Sequence, residues 1–187
     1  MILVPYEQIT RFVPQNGKVL DIGCGYGILS IFLALESAER QVLGIDINQN
    51  RINAIDEFIS NLPENLDFEN TDIESLRKEK FDCVIMEEIL HHIPRKEQQG
   101  VLNKTNEILQ DDGYFILRDN NKRWSLRNIF VNYPAEYLLY ATEEKANFCT
   151  NSEFIEMLDK ANFSCEVFQA PWYSIVDVSL FKCKKKK

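Results

Sequence analysis

The run Val19-Leu20-Asp21-Ile22-Gly23-Cys24-Gly25-Tyr26-Gly27 concentrates more chemistry than any other part of this chain: an apolar stretch, an acid, then glycines leading into a helical pattern. Gly23 and Gly25 let the backbone approach a ligand closely, and the helix start behind them offers free N–H groups and positive dipole to an anionic group. Asp21, two residues before the first glycine, can reach a cationic amine lying over the turn that holds Cys24. About twenty residues past the turn, Gly44-Ile45-Asp46-Ile47 ends a second apolar run in an acid. That spacing suits acceptance from two ribose hydroxyls, the alternative being a surface carboxylate that caps the next helix. In Asn70-Thr71-Asp72-Ile73, Asp72 stands where an acid can accept from an adenine amino group with Ile73 as apolar cover, although Thr-Asp in a loop also serves as a turn or cap. Ile28 occupies the place of the third glycine in Gly-x-Gly-x-x-Gly, which counts against a nicotinamide or flavin enzyme.

The only histidines are the adjacent His91 and His92. They form no metal-ligand cluster with other residues, so no metal site is expected. His92, His91 and Asp119 are the candidates for a general base, because all three fall near the expected cleft and histidine titrates near neutrality. Arg118-Asp119 is followed by Lys122, Arg123 and Arg127. This basic cluster either receives an acceptor's carboxylate or phosphate or is a solvated turn.

Positioning these residues takes a repeated strand and helix rhythm. Strands are expected at Lys18 to Ile22, Gln41 to Ile47, Leu66 to Glu69, Phe81 to Glu87 and Tyr114 to Arg118, apolar enough to be covered on both faces. Helical spacing occurs at Ile28 to Leu35, Asn50 to Ser60, Lys96 to Leu109 and Glu153 to Leu158, with Asn151 and Ser152 as caps for the last. Two final strands, Cys165 to Gln169 and Ile175 to Cys183, have too short a connection for a crossover and must be antiparallel. The result is an α/β fold, a doubly wound, mostly parallel sheet closing in a hairpin. An aromatic-rich insertion at about 120–150 follows the fifth strand, placed either to wall a substrate site or to form a packing cluster of its own.

At 187 residues the chain is expected to be a single domain. No apolar stretch is long enough to span a bilayer and no signal peptide is apparent, so the expected compartment is the cytoplasm. Five scattered cysteines without Cys-x-x-Cys suggest reduced, mostly buried thiols. The net charge of −8 speaks against nucleic acid, more so because five of the 21 basic residues lie in the last six positions. That lysine tail is read as solvated and disordered, with weak attraction to anionic lipid as the alternative.

These motifs, with Phe81-Asp82-Cys83-Val84 leading to Ile89-Leu90-His91-His92-Ile93-Pro94 and with Leu109-Gln110-Asp111-Asp112-Gly113-Tyr114, together resemble the class I S-adenosylmethionine-dependent methyltransferases over roughly residues 18–119. The resemblance implies a seven-stranded Rossmann-like sheet and S-adenosylmethionine as cofactor, with S-adenosylhomocysteine as product. Asp21, Gly23, Cys24 and Gly25 would hold the methionine moiety, and Asp46 the ribose hydroxyls with Ile47 beside the adenine. Asp72 and Ile73 would flank the adenine amino group and ring, while Glu87 or Glu88 would line the methionine amine through backbone carbonyls. The histidine pair would be largely architectural in such relatives, one ring against the sheet's edge and one facing the cleft. Asp111-Asp112-Gly113 stands where Pro-Gly-Gly is common, a departure confined to a structural turn. The acceptor would be a small molecule or lipid-like compound, with membrane contact at most peripheral. The rival readings are a non-catalytic cofactor-binding scaffold and a nucleotide-dependent oxidoreductase.

Overall fold

The computed structural model describes residues 6–59, 61–76, 79–121, 147–169 and 178–187. In chain order these contain α1 (Glu7–Thr10), β1 (Gly17–Ile22), α2 (Ile28–Glu36), β2 (Arg40–Asp46), α3 (Gln49–Phe58), β3 (Leu66–Asn70), β4 (Phe81–Glu87), α4 (Arg95–Ile108), β5 (Leu109–Asn120), α5 (Asn151–Lys160), β6 (Phe163–Gln169) and β7 (Val178–Lys185). Short 3-10 turns occur at Ile73–Ser75 and Leu90–His92.

The strands form one seven-stranded sheet in the order β3-β2-β1-β4-β5-β7-β6. The first five run parallel, and β7 lies antiparallel to both β5 and β6. This is the doubly wound sheet with a closing hairpin that the sequence led us to expect. The connection from β5 to β6 carries α5, and β7 then returns between those two strands, antiparallel to both. The reversal of order between β1 and β4 leaves a crevice beyond their carboxyl ends, the place where open α/β sheets bind ligands.

Alternation along the strands divides the core into two faces. Leu20, Val84, Met86, Phe115 and Leu117 pack with Leu102 and Ile108 of α4 and Phe154 and Leu158 of α5. Val19, Cys83, Ile85 and Ile116 pack with Ile9 of α1 and Leu29 and Leu33 of α2. In α4 the buried positions are Gln98, Leu102, Thr105 and Ile108, one stripe at helical spacing. Arg40 is buried where the two ends of the first βα unit meet. Its guanidinium donates to the carbonyls of Pro14, Leu33 and Val13 and pairs with Glu36, tying α2 to the chain before β1.

Four expectations are corrected. The cap of α5 is Thr150, whose hydroxyl accepts from Glu153 N while Glu153 reaches back to Thr150 N; Asn151 and Ser152 are the first helical residues. The lysine-rich end is not a disordered tail through Lys185, because it is strand β7. Lys182 lies 4.5 Å and Lys184 4.7 Å from the Tyr114 ring centroid, Lys185 pairs with Asp111, and Lys186 with Asp159. Cys165 and Cys183, directly opposite on β6 and β7, form a disulfide, so those two are not reduced thiols. Arg118 is a buried residue inside the sheet rather than part of a basic cluster at its mouth. Lys122, Arg123 and Arg127, most of the aromatic insertion, and the Pro171-Trp172-Tyr173 turn lie outside the described residues. Among the described residues no helix is long and apolar enough to cross a membrane.

Candidate functional site

The turn after β1 is built by backbone conformations that favour glycine. Gly23 has φ 71° and Gly25 φ 59°, both left-handed. A Cβ on Gly23 would come within 2.5 Å of the Ile89 side chain, whereas a Cβ on Gly25 would meet nothing within 4 Å. The first glycine therefore allows close packing of the turn on the β4 loop, and the second leaves space above it. Gly23 N and Cys24 N donate to Ile45 O at 2.8 and 2.9 Å, anchoring the turn to β2.

Asp46 fixes the same turn from the other side. Its Oδ2 accepts from Gly25 N at 2.9 Å, its Oδ1 accepts from Asn48 N at 2.8 Å, and Arg51 stands 3.7 Å from Oδ2. It is 3% exposed, so it is not the surface cap that sequence left open, although it does hold the chain entering α3. A carboxylate has about four lone-pair positions, so two contacts leave acceptor capacity on both oxygens.

Gly23, Gly25, Tyr26 and Ile28 line a cleft of about 240 Å³ together with Asp21, Glu87, Glu88, Ile89, His92 and Arg51. A larger hollow of about 900 Å³ lies at the other end of the sheet, by Lys18, Arg40, Gln41 and Glu64. We assign function to the smaller cleft, because the larger one sits at the amino ends of the strands and gathers none of the glycine-turn chemistry.

Three acids surround that cleft. Asp21 is buried and accepts from Ser30 Oγ at 2.6 Å. Burial pushes its carboxyl up to about 7, with the Ser30 hydroxyl opposing and the Asp46 charge adding to the rise. Glu87 is pushed up to about 8, again mainly by burial, against the lowering effect of the Arg118 guanidinium. Arg118 Nη1 donates to Glu87 Oε1 at 2.8 Å and to Glu88 Oε1 at 2.9 Å. Glu88 itself has φ 51°, which turns the chain out of β4 toward the histidines. The phenol of Tyr6 is raised to about 12 by burial and by Glu87, Asp21 and Glu88, so it remains a neutral donor. Burial with Asp21 and Asp46 nearby likewise raises the Cys24 thiol, which is therefore no nucleophile.

The candidate bases separate. His92 lines the cleft. His91 and Asp119 lie beneath it and are buried, correcting the expectation that all three face it. Asp119 Oδ1 is 2.6 Å from His91 Nδ1 and accepts from Asn120 N at 2.7 Å, while Oδ2 accepts from His91 N at 3.2 Å. A carboxylate already accepting from two backbone N–H groups makes Nδ1 the donor of the remaining contact. The His91 ring lies between His92, with centroids 4.0 Å apart, and Phe148 at 5.2 Å.

Asp72 is outside the cleft lining. It is exposed, and its Oδ1 accepts from Ser75 N at 2.8 Å as the cap of a 3-10 turn, the local role its sequence context allowed. Ile73 belongs to the core rather than to an open ring-binding wall, being 5% exposed. Ile47, 79% exposed beside Asp46, is open to a flat ligand. Tyr6, Ser30, Arg51 and the pairing of Arg118 were not foreseen. Only Ser30 left a signal, since it sits on the first turn of the helix behind the glycines and Asp21 needs a donor. Among the described residues no group of three or more His, Cys, Asp or Glu side chains is arranged for a metal.

The donor set fits the ligand that the sequence resemblance implies. An elongated molecule with a diol, a flat apolar ring and a cationic end would meet Asp46, Ile47 and the acids Asp21 and Glu87 in turn. The space over Gly25 would be filled by any side chain larger than hydrogen.

A family described as a methyltransferase domain matches residues 5–166. The ubiquinone biosynthesis O-methyltransferase of Actinobacillus pleuropneumoniae serotype 7 is 29% identical over 159 residues. That alignment covers 80% of this chain and 66% of the relative, just under two thirds of its length. A S-adenosylmethionine-dependent methyltransferase from Methanosarcina mazei shares the fold with a TM-score of 0.74 at 20% identity, each chain fully covered. The 1,6-didemethyltoxoflavin-N1-methyltransferase of Burkholderia thailandensis, solved with bound 1,6-didemethyltoxoflavin and S-adenosylhomocysteine, superposes with a TM-score of 0.74 at 18% identity, over 98% of this chain and 77% of its own.

Proposed function

The chain belongs to the methyltransferase-domain family, whose methyl donor is S-adenosylmethionine, and we propose that it transfers the donor's methyl group to an oxygen of a small or lipid-like molecule. The observation that carries this reading is the meeting of the Gly23–Gly25 turn, Asp21 and Glu87 in one cleft at the carboxyl ends of β1 and β4, with Asp46 at the end of β2 bonded to Gly25 N. Its support for oxygen is twofold: the sequence relatives are named O-methyltransferases, and the cleft holds a histidine, the base a hydroxyl acceptor needs.

In this reading Asp46 accepts from the ribose hydroxyls, the exposed Ile47 covers the adenine, and Asp72 takes the adenine amino group with its remaining oxygen. Asp21 and Glu87 balance the positive methionine end. When bound, the donor supplies a methyl group already activated on a sulfonium. The protein then needs mainly to position the acceptor and exclude water, which is worth up to about 7–11 kcal/mol. His92 takes the acceptor's proton, and His91, held by Asp119, fixes the His92 ring from behind.

Titration calorimetry of S-adenosylmethionine and S-adenosylhomocysteine against wild type and Asp46→Asn tests the donor site. We expect micromolar binding that the substitution weakens by about 1.5–3 kcal/mol, the size of a hydrogen bond to a charged group. A folded protein that binds neither ligand overturns the proposal.

A further inference from the structure

Arg118 lies near the carboxyl end of β5, two residues before Asn120, on the α1–α2 face of the sheet, opposite Glu87 in register, and is 1% exposed. Its guanidinium is used on one side only. Nη1 serves both Glu87 and Glu88, while Nε and Nη2, sealed from solvent, have no acceptor among the described residues. Those two nitrogens form the flat edge of the guanidinium, a pair of parallel N–H donors that matches the two oxygens of a carboxylate. Buried donors left without partners are rare and costly, and such a group calls for a ligand or a strain account. Here two glutamates lie within reach, yet both bind the same nitrogen and leave the two-donor edge unpaired among the described residues.

Position says which ligand. Asp46, Asp21, Glu87 and Arg118 lie on four successive strands, β2, β1, β4 and β5, and neighbouring strands stand about 4.8 Å apart. The groups suited to the donor's ribose and cationic end occupy the first three. Arg118 is one strand further, on the side away from the ribose acid. Two glutamates beside it disfavour a doubly charged phosphate and leave a singly charged carboxylate as the better match.

We propose that the Nε and Nη2 edge of Arg118 receives a carboxylate carried by the methyl acceptor. The inference rests on the methyltransferase reading and adds a chemical class to its acceptor: a hydroxyl compound that also bears a carboxylate. Glu87 and Glu88 hold the guanidinium through Nη1, so that its unpaired edge keeps one orientation.

The test uses benzoate and benzamide, which share a shape and differ in charge, titrated into the full chain saturated with S-adenosylhomocysteine. Saturation itself verifies the donor site first, so a failure of the methyltransferase reading is seen separately. Wild type is expected to prefer benzoate at least tenfold. In Arg118→Lys, which keeps the charge but removes the two-donor edge, the preference should fall by roughly tenfold to a hundredfold. Should that variant fail to fold, Glu88→Gln, which keeps an acceptor for Nη1 but removes a negative charge beside the guanidinium, should tighten benzoate binding. Equal binding of benzoate and benzamide to wild type overturns the proposal, as does an unchanged preference in Arg118→Lys or unchanged benzoate binding in Glu88→Gln. A third arm compares S-adenosylhomocysteine with 5′-methylthioadenosine, which lacks the amino-acid end. If Arg118→Lys erases that difference instead, the carboxylate is the donor's own and the assignment to the acceptor is wrong.

Discussion

Glu87→Gln, an isosteric change that deletes one cleft charge, should flatten the pH dependence of donor binding. In the free protein burial holds Glu87 at about 8 and Asp21 at about 7, so both are largely protonated below neutrality. A cationic ligand favours their ionised forms, and its affinity must rise with pH until both have lost their protons. If both are ionised in the complex, going from about pH 6 to about pH 9 gains about two orders of magnitude from Glu87 and about one from Asp21, roughly 4 kcal/mol in all. Glu87→Gln should leave only the last order of magnitude. The control is 5′-methylthioadenosine, which keeps adenine and ribose but carries neither ammonium nor sulfonium; its affinity should stay nearly flat. The sign for folding is the reverse. Both acids have folded values above their unfolded ones, so the free protein binds extra protons and its stability falls as pH rises from about 4 to about 8. Calorimetry and thermal melts across this range read both slopes. Parallel affinity profiles for S-adenosylmethionine and 5′-methylthioadenosine would refute the argument, as would an unchanged slope in Glu87→Gln.

Three further outcomes follow from the geometry. Gly25→Ala, strained but unobstructed, should cost about 1–2 kcal/mol, whereas Gly23→Ala adds an overlap with Ile89 and should cost about 2–5 kcal/mol; urea titrations giving equal losses would contradict this. Asp119→Asn should lower stability by about 1–3 kcal/mol, because a carboxylate serving three donors becomes an amide with one acceptor oxygen; an unshifted urea midpoint would show that the Asp119 contacts with His91 are dispensable. Alkylation of the unfolded, unreduced chain should label Cys24, Cys83 and Cys149 and all five cysteines only after reduction, with the reduced protein about 2–3 kcal/mol less stable; five labels at the outset would exclude the disulfide.

Much of the frame was legible because its signals are local. Apolar runs ending in polar turns located the strands, and the short link between the last two required an antiparallel pair. What escaped depends on partners distant in sequence. Nothing near Cys183 says that Cys165 lies directly across the hairpin, and the lysines of β7 read as a tail because their aromatic and acidic partners, Tyr114 and Asp111, belong to β5. Thr150 took the cap of α5 from Asn151 and Ser152 because only it has Glu153 three residues ahead to complete a reciprocal box. Asp72 was the weakest of the site residues for a similar reason: its sequence context fits a cap as well as a ligand contact, and the cap is the contact seen.

Arg118 and Asp119 show how one rule could have sharpened the reading. Side chains in a strand point alternately to its two faces, so adjacent residues cannot both look into one cleft. Ile116 and Arg118 share the α1–α2 face, and register on β4 puts Glu87 there too, with Val19 and Asp21 of β1 and Val42 and Asp46 of β2 following the same alternation. Leu117 faces α4 and α5, and Asp119 follows it to hold His91. The acids and the guanidinium at the strand ends of the first face are thus the ones that can meet a ligand, while the acid one residue on is committed to structure. A substitution at Glu87 should therefore change affinity and its pH slope more than stability. At Asp119 stability should change first, and any effect on turnover should pass through His91 to the His92 ring tilted against it.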